Sequence, residues 1–305
     1  MIIDIHTHLG DILNANGGQL IDQKNVRKKI FFDMISFSER LLHNALSDAF
    51  DRWLYHKVYH LVTRASIARN ATATIENMRR SMDEAGITKT ACMPIPPFLT
   101  FEDLRRAKEK DDSVIPFTGI DFTEIDNAAA QLKNDVEQGA KGLKLHPIIQ
   151  RTSLTSEKTF QVIEAFAPYQ LPVLFHCGIS SYYLGTGADK ENAELGKIEY
   201  ARDLVAAFPH VTFIAGHAGL YEYRAVIDLL AGYKNVMVDT SFQSSGHVKA
   251  LINVFGPDRV MYASDWPFGN RLPAVKIVKK ACQRNKALET RVLYKNAASL
   301  VGVDE

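Results

Sequence analysis

Short apolar, β-branched runs alternate along this chain with longer segments in which apolar residues recur every three or four positions. The first pattern is typical of buried parallel strands, and the second of amphipathic helices that pack on them. The strand candidates are residues 1–5, 87–93, 114–120, 142–145, 172–175, 211–215, 236–239 and 259–263. Between them, Ile75, Met78, Met82 and Ala85 share one helix face, and Gly86 follows as a helix-ending glycine would. Eight such strands with their helices predict an α/β fold, a closed (β/α)8 TIM barrel.

Residues 11–70 interrupt this rhythm between the first strand and its helix. The stretch 30–62 predicts one or two helices with an apolar stripe. That stripe consists of Phe31, Phe32, Met34, Ile35, Phe37, Leu41, Leu42 and Leu46. Long loops of a barrel lie at its catalytic mouth, so we expect a helical insertion that acts as a lid or as a homodimer contact. Nothing in it resembles a linker, and residues 1–305 are predicted to form a single barrel domain.

Charge and cysteine usage narrow the class of protein. The formal net charge is +1, so no global field favours nucleic acid or an anionic membrane, and a small-molecule substrate fits better. Cys92, Cys177 and Cys282 are widely spaced in a chain that is too large to need disulfides, which indicates a reducing cytoplasm. We also expect no signal peptide and no membrane span, since no apolar run approaches about 18 residues.

The opening segment carries two imidazoles, His6 and His8, at the end of the first strand. Side chains two positions apart in a strand project from the same face, so both rings can reach one ion. A His-x-His pair is, taken alone, more often a surface or packing accident than a metal site. The residues at the other strand ends make a metal site the better interpretation.

Further chemically active side chains follow the fourth, fifth, sixth and eighth strand candidates, at the end of the barrel where such enzymes build their sites. They are Lys144 and His146, His176, His217 and Asp265. Each has a structural interpretation, a hydrogen-bonded histidine or, for Asp265, a helix N-cap. Independent accidents at so many strand ends are improbable, and the set predicts a metal site.

These motifs in this order resemble the amidohydrolase superfamily, and within it the amidohydrolase-related (amidohydrolase 2) group that includes aminocarboxymuconate-semialdehyde decarboxylase-like enzymes. The resemblance runs over nearly the whole chain. It is carried by D-I-H-T-H, G-L-K-L-H-P, F-H-C-G, G-H-A-G, Y-A-S-D-W-P-F-G and the closing V-L-Y-K-N-A-A-S-L-V-G. It leaves the insertion at 11–70 undefined.

The resemblance implies that His6, His8, His176 and Asp265 bind one divalent ion and leave a position open. Zinc is the first expectation, and manganese, iron or cobalt suit the same ligands. A metal ion lowers the pKa of bound water to about 7, and Asp265 would accept the proton of that water. The resemblance gives His217 the task of polarising the substrate or carrying a proton.

Several other residues allow two interpretations, one functional and one structural. His146 is either a substrate-pocket residue or a packing residue, and Lys144 is expected to be ionic or structural, since K-L-H-P resembles the branch with one metal. Trp266 could form an aromatic wall against a planar substrate, although packing of the turn at Pro267 is commoner. Arg52, with His56, His60 and Arg64 at helical spacing, could bind a substrate carboxylate, although a solvated helix face is commoner.

The leading hypothesis is therefore a metal-dependent hydrolase that uses metal-bound hydroxide to attack a lactone or amide. The alternative is a nonoxidative decarboxylase of an unsaturated or aromatic carboxylic acid, and a hydratase is a third. A barrel that binds metal only as a scaffold is a different class, which the complete set of acid–base residues disfavours.

Overall fold

In a computed structural model, which describes residues 1–42, 48–185 and 191–303, eight parallel strands follow one another along the chain. They are β1 (Ile3–Thr7), β2 (Lys89–Cys92), β3 (Val114–Pro116), β4 (Leu143–Leu145), β5 (Val173–His176), β6 (Phe213–Gly216), β7 (Val236–Asp239) and β8 (Val260–Met261). Each lies within or within two residues of a predicted strand. The periodicity of short apolar runs therefore located the sheet correctly.

Neighbouring strands pair in sequence order, in runs β1–β3 and β4–β8. A parallel bridge between Thr118 and Leu143 joins the two runs, and one between Thr7 and Trp266 closes the ring. At the same seam the Ile5 N–H donates to the Tyr262 carbonyl at 3.2 Å. The predicted (β/α)8 barrel is confirmed.

Helices cover the outside of the barrel. They are α1 (Met34–Leu42), α2 (Asp48–Asn70), α3 (Ile75–Ala85), α4 (Phe101–Lys110), α5 (Ala128–Glu137), α6 (Glu157–Phe166), α7 (Ile198–Ala207), α8 (Tyr223–Leu230), α9 (Ser245–Phe255), α10 (Arg271–Ala281), α11 (Lys286–Thr290) and α12 (Asn296–Val301). The N-cap Thr74 accepts from the Asn77 N–H of α3, and Gly86 ends that helix at φ 69°, as predicted. None of the described helices is long and apolar enough to cross a lipid bilayer.

The apolar core has two layers. One fills the barrel interior with residues such as Ile3, Ile5, Phe117 and Leu174. The other lies between the strands and the helices and is much larger. Because strand side chains alternate, most strands contribute to both layers. Polar residues follow at the carboxyl ends of several strands.

The insertion after β1 holds α1 and α2. Met34 and Ile35 of its predicted apolar stripe are buried, whereas Phe31, Phe32 and Phe37 are exposed. The side chains of Leu41, Leu42 and Leu46 lie outside the described part of the structure. A role as lid or dimer contact stays a prediction.

Candidate metal centre

The His-x-His pair sits at an irregularity of β1, with His6 inside it and His8 just beyond it. The pairing of β1 with β2 shifts by one residue between Asp4 and Thr7. Such bulges redirect the side chains that follow them. The rings of His6 and His8 lie 5.4 Å apart, both buried at the carboxyl end of the barrel. The predicted convergence of the two imidazoles is therefore present.

Both histidines direct their Nδ1 atoms to acceptors. His6 Nδ1 lies 2.8 Å from Asp239 Oδ2, and His8 Nδ1 lies 3.0 Å from the Met93 carbonyl oxygen. A ring nitrogen that faces such an acceptor carries the proton, so Nε2 keeps its lone pair. Metal-binding histidines in proteins are held in this way.

Asp265 supplies the carboxylate of the site. It is buried, its backbone has φ 55°, and its N–H donates to the His6 carbonyl at 2.9 Å. Its Oδ1 lies 3.5 Å from His8 Nε2 and 3.7 Å from His6 Nε2, with no hydrogen-bond partner among the described residues. Burial raises the pKa of this carboxyl well above its usual value. A buried acceptor without a donor beside two imidazole nitrogens is a place for a cation.

The distances fit a small divalent ion. Bonds of about 2.1 Å to a tetrahedral ion separate its ligand atoms by roughly 3.4 Å, close to the 3.5 and 3.7 Å between Asp265 Oδ1 and the two Nε2 atoms. His217 also belongs to the group, since ligand atoms of His6, His217 and Asp265 all lie within 4.8 Å of one another. The donor set therefore suits the metal expected from the sequence.

Lys144 projects from β4 into the same cluster. Its Nζ lies 2.7 Å from His6 Nε2 and its side chain is fully buried. Burial lowers the pKa of Lys144 to about 8, while Asp265 and Asp239 oppose that shift. Burial and the charge of Lys144 also lower the pKa of His6 and His8 well below the usual value, so both imidazoles are neutral near pH 7.

His217 begins a bent segment after β6. Its φ is 59°, and Ala218 and Leu220 also have positive φ. Gln243 holds this segment, since its Nε2 donates to the carbonyls of His217 and Leu220 at 2.6 and 2.8 Å. The His217 ring lies 4.8 Å from that of His6, and its Nδ1 is 2.8 Å from Ser241 Oγ. Strained backbone of this kind is common at functional sites.

His176 and His146 form the neighbouring part of the site. Their rings stack at 4.3 Å, and the His176 ring is 5.0 Å from that of His217. In this structure His176 Nε2 lies 2.9 Å from the Gly178 carbonyl oxygen, and Nδ1 is 3.3 Å from the Tyr182 hydroxyl. Burial lowers the pKa of His176 to about 3. Its assignment as a metal ligand stays a prediction.

A cavity opens above these side chains. Its walls are mostly apolar or aromatic, with several hydroxyl groups, and His217 and Asp265 form its floor. The wall residues are Ile35, Ser38, Val62, Ser66, Ser180, Ser181, Tyr182, Leu220, Tyr221, Phe242 and Phe268. None of these residues is a lysine or an arginine.

The structure describes the side chains of two of the three predicted substrate residues, Trp266 and His146. Trp266 does not line this cavity, and packs instead over the Arg271 guanidinium at 4.8 Å. His146 stacks on His176 at 4.3 Å and is not among the described wall residues. Arg52 belongs to α2, but its side chain lies outside the described part of the structure. The Cys177 thiol is buried and donates to the Gly216 carbonyl, and burial raises its pKa, which suits a packed thiol.

The sequence interpretation missed Asp239 and Ser241. Asp239 is the last residue of β7, the strand between β6, which is followed by His217, and β8, which is followed by Asp265. The rule that located the other site residues, a polar side chain at a strand's carboxyl end, applies to it equally.

Comparisons with known proteins agree with this geometry. The family model described as amidohydrolase matches residues 3–303. No curated protein matches the chain. Among solved structures, an uncharacterized TIM-barrel protein from Bordetella bronchiseptica superposes with a TM-score of 0.69 at 14% identity, covering 99% of this chain and 98% of that one.

Two enzymes of different reaction types share the fold. A 5-carboxyvanillate decarboxylase from Novosphingobium aromaticivorans, complexed with manganese and a nitrobenzoic acid, has a TM-score of 0.64 at 16% identity, covering 99% of this chain and 96% of that one. A probable 2-pyrone-4,6-dicarboxylic acid hydrolase from Acinetobacter baumannii has a TM-score of 0.59 at 14% identity, with 99% of each chain covered. At such identities the likeness shows the fold alone.

Proposed function

Because this chain belongs to the amidohydrolase family, we propose that it is a metal-dependent, nonoxidative decarboxylase of an aromatic or unsaturated carboxylic acid. The observation that carries this proposal is the cavity wall. Aromatic rings and hydroxyl groups surround the cavity, and the carboxyl group of Asp265 and the imidazole of His217 also line it. A planar ring fits such walls, and its carboxylate would lie at the polar floor.

His6, His8 and Asp265 would hold the divalent ion, with His217 beside them. Manganese deserves testing beside zinc, since a decarboxylase of the same fold contains it. Such an ion supplies positive charge where the substrate carboxylate binds. That charge matters here because none of the described wall residues is cationic.

Asp265 and His217 are placed to move the proton. Decarboxylation breaks the bond between the ring carbon and the carboxylate, the electron pair stays on the ring carbon, and a proton takes the place of the CO2 that leaves. Both residues border the cavity, and Asp265 Oδ2 lies 4.0 Å from His217 Nδ1.

Part of the cavity wall is apolar. Ile35, Val62 and Phe268 present apolar surface to the space where the substrate would lie. Loss of CO2 is favoured when a carboxylate leaves water, and no water molecule takes part in it. Hydrolysis, the first expectation from the sequence, needs a water molecule at the reacting carbon. Hydrolysis is the competing proposal, because a probable hydrolase has the same fold.

Product analysis separates the two reactions. Protein loaded with manganese or zinc is incubated in D2O with hydroxybenzoic acids and unsaturated acids labelled with ¹³C at the carboxyl carbon, and with lactones and amides. We expect labelled CO2 and one deuterium on the product carbon. Asp265→Asn should lower this rate by about 10²–10⁴-fold. A new carboxylic acid without CO2 would overturn the proposal in favour of a hydrolase.

A further inference from the structure

Asp239 lies at the centre of the hydrogen bonds that hold the site. It is completely buried at the end of β7. Its Oδ2 lies 2.8 Å from His6 Nδ1. Its Oδ1 accepts from three donors, the His217 N–H at 3.0 Å, the Ser241 N–H at 2.9 Å and the Ser241 hydroxyl at 2.6 Å. One carboxylate thus touches residues on both sides of the barrel mouth.

The direction of each proton follows from this arrangement. An ionised carboxylate only accepts, so the Ser241 hydroxyl donates its single proton to Asp239. Ser241 Oγ can then only accept from His217 Nδ1, which lies 2.8 Å away. His217 therefore carries its proton on Nδ1. The same reasoning places the His6 proton on Nδ1, facing Asp239 Oδ2.

We propose that Asp239 and Ser241 are positioning residues that fix the tautomers of His6 and His217 together. Both rings then keep the Nε2 lone pair, in His6 for the ion and in His217 for the proton of the reaction. The inference rests on the proposed use of these two histidines. Its tests on tautomer and metal affinity need no turnover, so it can fail or succeed independently of the decarboxylase proposal.

The backbone around His217 supports this role. The positive φ of His217 lets its N–H reach Asp239 Oδ1, and Gln243 Nε2 donates to the carbonyl of the same residue. Gln243 is itself buried and lies 3.1 Å from His247 Nδ1 through its Oε1. The His217 backbone is thus held at its N–H and at its carbonyl, and the ring is held at Nδ1.

Asp239→Asn should act mainly on the metal. Three donors surround the Oδ1 position, so the amide oxygen of Asn must take that place and the NH2 group must face His6. His6 would then accept at Nδ1 and carry its proton on Nε2, which removes the lone pair from the site. We expect zinc affinity to fall about 10–100-fold, as changes to the hydrogen-bond partners of metal ligands commonly do.

Ser241→Ala should act mainly on the proton transfer. His6 keeps its bond to Asp239, so zinc affinity should stay within about threefold of wild type. His217 loses the acceptor for its Nδ1–H, and we expect kcat to fall about 10–100-fold with little change in KM. Thr118→Ala is the matched control, because Thr118 donates a buried hydroxyl bond of 2.6 Å to Asp135, away from the site.

The experiment combines ¹⁵N NMR of labelled histidines in the zinc-loaded protein with zinc affinity measured by chelator competition. Wild type should show His6 and His217 protonated on Nδ1. Asp239→Asn should lose zinc affinity, and Ser241→Ala should change the His217 signal alone. The proposal is overturned if wild-type His217 is protonated on Nε2, if Asp239→Asn binds zinc like wild type, or if Ser241→Ala behaves like Thr118→Ala.

Discussion

Asp4 and His6 lie two residues apart on β1 and yet belong to two different buried polar clusters. Asp4 accepts from the Ser264 N–H and hydroxyl at 2.9 and 2.5 Å and from Arg271 Nε at 3.1 Å; these residues form the Asp4 cluster. His6 contacts Asp239, Lys144 and Asp265, which form the His6 cluster. The register shift between Asp4 and Thr7 separates the two.

The clusters differ in how completely they pair their charges. Arg271 also donates to the Met78 carbonyl, Ser81 and Thr90, so each of its three guanidinium nitrogens has a hydrogen-bond acceptor. Asp265 in the His6 cluster keeps an oxygen without a partner among the described residues. A paired buried charge joins elements of the fold, whereas an unpaired buried acceptor beside imidazole nitrogens can bind a cation.

Arg271→Met should produce the largest change in stability. It leaves Asp4 buried without its counter-charge, and we expect the free energy of unfolding to fall by about 3–5 kcal/mol in urea denaturation. Turnover per folded molecule should be unchanged. The double variant Asp4→Leu/Arg271→Met should recover much of the loss, and a double variant no more stable than the single one would contradict this account.

Metal addition should act on the His6 cluster alone. At a metal concentration a hundred times the Kd, binding stabilises the folded state by about 2.7 kcal/mol. We expect this rise in thermal unfolding of chelator-treated wild type and of Arg271→Met. An equal rise in Asp265→Asn would show that the ion binds elsewhere.

Asp265→Asn should stabilise the metal-free protein, in contrast to changes in the Asp4 cluster. The amide NH2 of Asn can donate to the Nε2 atom of His8, which lies 3.5 Å from Asp265 Oδ1, and the substitution removes an unsatisfied buried acceptor. We expect a gain of about 1–3 kcal/mol in the free energy of unfolding. A loss of stability in chemical denaturation would mean that the carboxylate is already paired.

Lys144 should make the stability of the metal-free protein depend on pH. Its folded pKa of about 8 lies below the unfolded value of 10.5, so the unfolded chain binds more protons in this range and stability rises with pH. Between pH 8 and 9 the gain should be about 1 kcal/mol relative to Lys144→Met. Parallel pH curves for the two proteins in urea titrations would contradict the lowered pKa.

Local patterns were enough to locate the strands and most side chains of the His6 cluster. The strand-end rule placed His6, Lys144, His217 and Asp265 at one rim, and the structure brings them together. The same rule applied to β7 would have included Asp239. It cannot tell which ring nitrogen carries a proton, because that depends on acceptors from other strands.

The sequence by itself determined a barrel with its reactive residues at one end, since hydrophobic periodicity and strand-end position are properties of neighbouring residues. Only the tertiary structure decided which hydrogen bonds these residues make and which buried cluster each of them joins. The bond between His6 and Asp239 joins residues 233 positions apart, and the register shift in β1 separates Asp4 from His6. Hydrogen bonds and side-chain directions of this kind arise when the ring of strands closes, so no local pattern contains them.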